Sequence, residues 1–195
     1  FPSFKTYSGV GLDDPTATVR CDVTSLGFHA QVLSGAHGTA YIDPVGPTDP
    51  AHYVAYYRRD IDRRAVPFGC EVSGTNPTPG PLANRVAVSA GATLRTLRLA
   101  VAATGEYTAF HGGTVAGGQA AIVTTINRVN GVYEKELALR MVLVANSSSL
   151  VYTNASTDPY TNNDASQLLT QNQTNIDNVI GSANYDLGHV FSTGG

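Results

Sequence analysis

The chain has 195 residues, 12 Lys and Arg against 15 Asp and Glu, 42% hydrophobic residues and only 14% charged ones. So many apolar residues beside so few charges exclude a disordered tail and a coiled coil. A net charge of −3 leaves no basic face for nucleic acid, and no apolar run approaches the ~18 residues of a membrane span.

The ends and the small-residue content add to this. The chain starts at Phe1 without a basic and apolar leader and stops just after the strand-like Leu187-Gly188-His189-Val190-Phe191, so a segment of a longer protein is expected. Low Lys with abundant Thr, Ser, Asn and Gly fits a secreted or surface protein. Two cysteines, Cys21 and Cys70, leave open a disulfide, two free thiols, or one structural and one reactive thiol.

From Thr16 to about Val72 the grammar is that of short strands and turns. Thr18–Val23 and Gly27–Leu33 alternate in period two, and Gly38–Pro44 and His52–Arg58 continue the pattern. An antiparallel β module is expected over 1–72. A unit of roughly 60 residues buries only a modest core, so it should lean on a neighbour. Between Ser73 and Thr93, Gly74, Pro77, Pro79, Gly80, Pro81 and Gly91 mark a linker.

The grammar then changes. Leu94–Ala103 begins as alternation and becomes continuously apolar, as a strand entering a core does. Val115, Ile122, Val123, Ile126, Val129 and Tyr133 recur at spacings of three and four, which predicts a helix over Thr114–Glu136. A strand is expected at Ala138–Val144 and a short one at Leu150-Val151-Tyr152. Asp164 is placed to cap a second helix carrying Leu168, Leu169, Asn172, Ile176, Val179 and Ile180, which Gly181 ends. A last strand follows over Asp186–Phe191. The fold class is therefore α+β: an antiparallel β module, then a β-α-β-β-α-β layer over 94–195 with at least part of its sheet parallel.

No catalytic centre is complete on residues alone. In His111-Gly112-Gly113-Thr114-Val115-Ala116-Gly117-Gly118 the glycines miss the dinucleotide register, so close helix packing explains them better than phosphate binding. The histidines His29, His37, His52, His111 and His189 stand alone, with none at metal-ligand spacing to another His or Cys. Asp158, Asn162, Asn163 and Asp164 form an oxygen-rich run whose spacing misses the calcium loop; capping and turn chemistry account for it.

Longer motifs carry a family resemblance. Leu99–Tyr107, Ile126-Asn127-Arg128-Val129-Asn130-Gly131-Val132-Tyr133-Glu134, Asp158-Pro159-Tyr160-Thr161-Asn162-Asn163 and Ile180–Ser192 resemble the bacterial reprolysin-like zinc metallopeptidases of the metzincin group. Asp13–Ala17, Gly27-Phe28-His29-Ala30 and Tyr41-Ile42-Asp43-Pro44 look like the β-rich region preceding the peptidase domain in the same secreted proteins. The resemblance implies a secreted zinc endopeptidase precursor with a propeptide-like module and a polypeptide substrate. It also implies zinc held by His-Glu-x-x-His-x-x-Gly-x-x-His, a motif this chain lacks. No zinc is therefore expected in this segment, and its partner would be the remainder of the peptidase domain. By the same resemblance Gly188, His189, Val190, Phe191 and Ser192 form an edge strand that pairs with extended substrate, and His189 points to one side of it by alternation. Cys70, just before the linker, is a candidate cysteine switch on the zinc, a buried thiol or a partner of Cys21. A non-catalytic extracellular module that associates strand to strand is the alternative reading.

Overall fold

Alternating residues do build a sheet. The computed structural model describes residues 3–46, 49–62 and 93–194. Its first part is a five-stranded antiparallel meander: β1 (Lys5–Val10), β2 (Thr18–Thr24), β3 (Gly27–Ser34), β4 (Gly38–Gly46) and β5 (Asp49–Tyr57), in that spatial order. Gly27 and Gly38 take positive φ at the β2–β3 and β3–β4 turns, where the tight reversal needs a left-handed residue. A register shift between Pro44 and Gly46 marks a bulge in β4. The linker expected over 73–93 lies almost wholly outside the described residues.

The second part is a three-layer α/β unit. Strands β6 (Arg95–Ala103), β7 (Leu139–Leu143) and β8 (Leu187–Phe191) form a parallel sheet in the order β7-β6-β8. Helices α1 (Gly105–Phe110) and α2 (Val115–Leu137) connect β6 to β7, and α3 (Ala165–Val179) precedes β8. The strand expected at Leu150-Val151-Tyr152 shrinks to one residue. A 3₁₀ turn occupies Ser147–Leu150, and only Val151 makes a parallel bridge, to Ala103.

Alternation along β6 divides the core in two. Leu99, Val101 and Ala103 face α2, where they meet Ile122, Ile126 and Met141; Ala100 and Ala102 face α3 and meet Leu168, Ile176 and Ile180. Burial on both faces is why β6 reads as a continuous apolar run. The helix stripe predicted from Ile122, Ile126 and Val129 is the one that contacts the sheet.

Caps set the helix starts. Thr104, Thr114 and Asp164 each accept a backbone N–H three residues on, at Tyr107, Gly117 and Gln167. Gly112 and Gly113 hold positive φ between α1 and α2, while a methyl on Gly118 would stand 2.7 Å from Val151 Cγ1. The glycines therefore serve the turn and the close approach of α2 to the sheet, as their register predicts.

Helix α2 is covered on its other side by the β module. The module sets Arg20 and Asp22 of β2, His29 and Gln31 of β3, and Tyr41 and Asp43 of β4 on the face toward the helix. The opposite face of the same sheet carries Tyr7, Val19, Cys21, Val23, Phe28, Ala30, Val32, Ala40, Ile42, Pro44, Tyr53, Ala55 and Tyr57. The module does lean on a neighbour, but it does so with its polar face.

Candidate functional site

Two features meet at the end of β8: the sheet's open edge and the seam between the β module and α2. Among the described strands β8 pairs only with β6, through Leu99↔Leu187 to Ala103↔Phe191. Its other edge has no described strand. The side chains of the predicted edge residues divide by alternation. Gly188 and Val190 lie on the α3 side, where a methyl on Gly188 would stand 3.0 Å from Ile176 Cδ1. His189 and Phe191 lie on the α2 side, their rings 4.8 Å apart. Alternation thus aims His189 toward the seam. Ser192 follows the strand, and its hydroxyl donates to the Gly194 carbonyl.

The oxygen-rich run holds this end in place. Asn162 Oδ1 accepts from Thr104 Oγ1 at 3.0 Å and from the Thr193 N–H at 3.1 Å, joining the exit of β8 to the start of α1. Asp158 Oδ2 accepts from Gly105 N–H at 2.6 Å, and Asp164 caps α3. The acidic and amide groups do capping and turn work, as their spacing predicts.

An aromatic cluster continues from Phe191. Tyr107 stacks on it at 5.2 Å, and His111 lies 4.5 Å from Tyr107 with Phe110 at its edge. A cavity of about 500 Å³ opens here, walled by Tyr107, Phe110, His111 and Phe191 on one side and by Leu26, His29, Asp43 and Pro44 of the β module on the other. Burial pushes the Tyr107 phenol up to about 12 and the His111 imidazole below its ordinary value. His189 is likewise lowered by desolvation: although the strand edge leaves it open to solvent, its ring is crowded by the neighbouring groups. These rings are neutral at pH 7, so this wall of the cavity is uncharged.

The seam above the cavity is polar. Asp22, 1% exposed, accepts from Thr124 Oγ1 at 2.7 Å and from Asn127 Nδ2 at 3.5 Å, and His29 Nδ1 lies 3.2 Å away without hydrogen-bond geometry. Asn127 also donates to the Cys21 carbonyl at 3.0 Å. Arg128 pairs with Asp43 at 2.5 Å and lies over the Tyr41 ring, while Tyr56 donates to the same carboxylate at 2.7 Å. Burial first, then that bond, raises the Tyr56 phenol to about 12. Farther along, Glu134 receives Arg140 at 2.7 Å and pairs with Arg20; Arg140 first and Arg20 with it hold its carboxyl below the usual range. The seam residues Thr124, Asn127, Arg128, Gly131 and Glu134 recur at helical spacing. That second stripe was the available signal, hidden because polar residues at such spacing read as a solvated face.

Cys21 is a free thiol on the module's far face, and burial raises its pKa. Cys70, the candidate switch, lies outside the described residues. Among the described residues no three His, Cys, Asp or Glu gather closely enough to hold a metal ion, and the 195-residue sequence contains no His-Glu-x-x-His. The described residues thus offer no ligand set for a catalytic zinc. No helix of the described residues is long and apolar enough to cross a membrane.

A parallel sheet flanked by helices on both faces, with one edge unpaired among the described strands beside an aromatic cleft, defines an α/β domain. A family model described as metallo-peptidase family M12B, reprolysin-like, matches residues 93–195, more than half of the chain. The chain belongs to this family of metallopeptidases, whose substrates are polypeptides. Neither the curated proteins nor the solved structures contain a match.

Proposed function

We propose that the chain is part of the precursor of a secreted zinc endopeptidase of the metzincin group. Residues 1–72 act as its propeptide-like module, residues 73–93 as linker, and residues 94–195 as the first part of the peptidase domain. The observation that supports this best is the character of the seam. An apolar interface would make the module a permanent part of the core, whereas a hydrogen-bonded and ion-paired one resembles the polar contacts between separable domains. The seam also roofs the cleft beside β8, so the module in place narrows access to that edge.

The open edge of β8 takes an extended segment of polypeptide by strand addition, with Gly188–Ser192 as its backbone contact. A second reading of this edge has its own support. An unpaired edge strand is a template for any further strand, so one from the remainder of the peptidase domain would fill the edge equally well. Zinc, when bound, would activate water for peptide hydrolysis; its ligands belong to the remainder of the domain.

The test has two arms. The purified 195-residue chain should take up no stoichiometric zinc and cleave no casein. A longer precursor that carries the zinc motif should cleave casein in a chelator-sensitive way once its β module is removed. Stoichiometric zinc on the short chain, or a processed precursor with no peptidase activity, would overturn the reading.

A further inference from the structure

Two apolar side chains wall the cleft beside β8 from positions where polar ones are the rule. Leu26 sits in the turn between β2 and β3, and Phe110, at the end of α1, is 72% exposed; both line the cavity of about 500 Å³, one from each unit of the chain. A cleft of that size between two units falls in the ~300–1,000 Å³ range of ligand sites. Its ionic lining residues, Asp43 and Arg128, are paired with each other at 2.5 Å, so neither is left to select a charged ligand.

We propose that this cleft is a side-chain pocket for a separate, extended polypeptide bound along β8, that it selects a large apolar residue, and that the β module builds half of it. The inference rests on the reading of β8 as an edge for strand addition and names what that edge selects. Backbone geometry connects the two. The Phe191 carbonyl accepts from the Thr104 N–H at 3.0 Å, so the Phe191 backbone groups point to β6. By alternation those of Gly188 and Val190 point to the edge that is unpaired among the described strands. A strand laid on that edge sets the side chain opposite Phe191 on the same face of the sheet, over α2. There it meets the stacked rings of Phe191 and Tyr107, with Phe110 and Leu26 beyond them. Flat rings reward an aromatic or large aliphatic residue, and a carboxylate there would lose its water without gaining a free cation. Because Leu26 belongs to the β module, this preference exists only while the module is seated.

The probes are three capped peptides, Thr-Val-Xaa-Val-Thr with Phe, Ala or Asp at the centre, titrated into the 195-residue chain and followed by amide NMR shifts. The Phe peptide should bind about tenfold tighter than the Ala peptide, the Asp peptide weakest, with shifts on Gly188–Ser192, Leu26 and His111. Phe110→Ala and Leu26→Ser lie outside both core clusters, so the fold should survive them. Each should erase the advantage of Phe while leaving the Ala peptide's affinity unchanged. Equal binding of all three peptides along β8 overturns the pocket and leaves strand addition standing. A Phe preference that survives Leu26→Ser, or shifts in the cleft with β8 unmoved, also overturns the proposal. No shift on β8 with any peptide overturns the strand-addition reading and the pocket with it. The longer precursor should bind the Phe peptide too; if only the 195-residue chain does, the edge is filled by a strand of the remaining domain and the proposal fails.

Discussion

Replacing Asp22 with Ala tests the seam at its most buried point. The carboxylate is 1% exposed and accepts from Thr124 Oγ1 at 2.7 Å, with Asn127 and His29 beside it. Its removal leaves the Thr124 hydroxyl and the Asn127 amide with weakened or missing acceptors in a site water does not reach. Each orphaned group costs about 1–3 kcal/mol, and Asn127 keeps its bond to the Cys21 carbonyl, so a total of about 3 kcal/mol is expected. For a chain of this length that lowers Tm by roughly 6–12 °C. Thermal and denaturant unfolding read the loss, and a double-mutant cycle identifies its cause. Thr124→Val alone should destabilise, because it strips a bond from a buried carboxylate. In the Asp22→Ala background the same change should be neutral or stabilising, since it removes the orphan. Equal effects of Thr124→Val in both backgrounds, or an Asp22→Ala loss below about 0.5 kcal/mol, would refute the argument.

Three further outcomes follow from the same geometry. Gly105→Ala places a methyl against the backbone of Asn154 and Ala155, which cannot move aside; the strain should cost about 1–3 kcal/mol and show as a lowered unfolding midpoint. His111 and His189 have folded pKa values below the ordinary 6.5, so the unfolded chain binds protons first and stability falls as pH drops through 6.5. Proton NMR should find both rings titrating below that value, and replacement of both by Gln should flatten stability between pH 7 and 5.5. Glu134 has a carboxyl held below 4.5 by Arg140 and Arg20, so its contribution is present above 4.5 and is lost as pH falls through the lowered value. Glu134→Gln should remove that part of the acid sensitivity, read as the unfolding midpoint against pH.

Much of this fold is legible in residue order. Period two places β2, β3 and β4, and the stripe of Ile122, Ile126 and Val129 places α2, because one face of each is apolar. Strand β1 is not legible, since its Lys5–Val10 side chains are almost all exposed and edge pairing alone makes it a strand. Helix α1 is too short for a repeat, at six residues. Leu150 and Val151 read as a strand because both are apolar; they are buried as a 3₁₀ turn against the end of β6 instead. The site is less legible than the fold. Alternation divides His189 from Gly188 but does not say which side holds the cleft. The β module's pattern gives two faces, and apolarity suggests the wrong one for the contact with α2. The pairing of Asp22 with Thr124, of Asp43 with Arg128 and of Arg20 with Glu134, residues 102, 85 and 114 positions apart, reveals that the polar face is the joined one.

Whether a polar seam holds the β module over the cleft as a releasable cover is read from the casein-cleaving activity of the longer precursor carrying Asp22→Ala and Arg128→Ala. Compared with the unaltered precursor, and without cleavage of its linker, chelator-sensitive activity should rise as the module loosens. Activity unchanged in a folded variant whose module has demonstrably come away would contradict it.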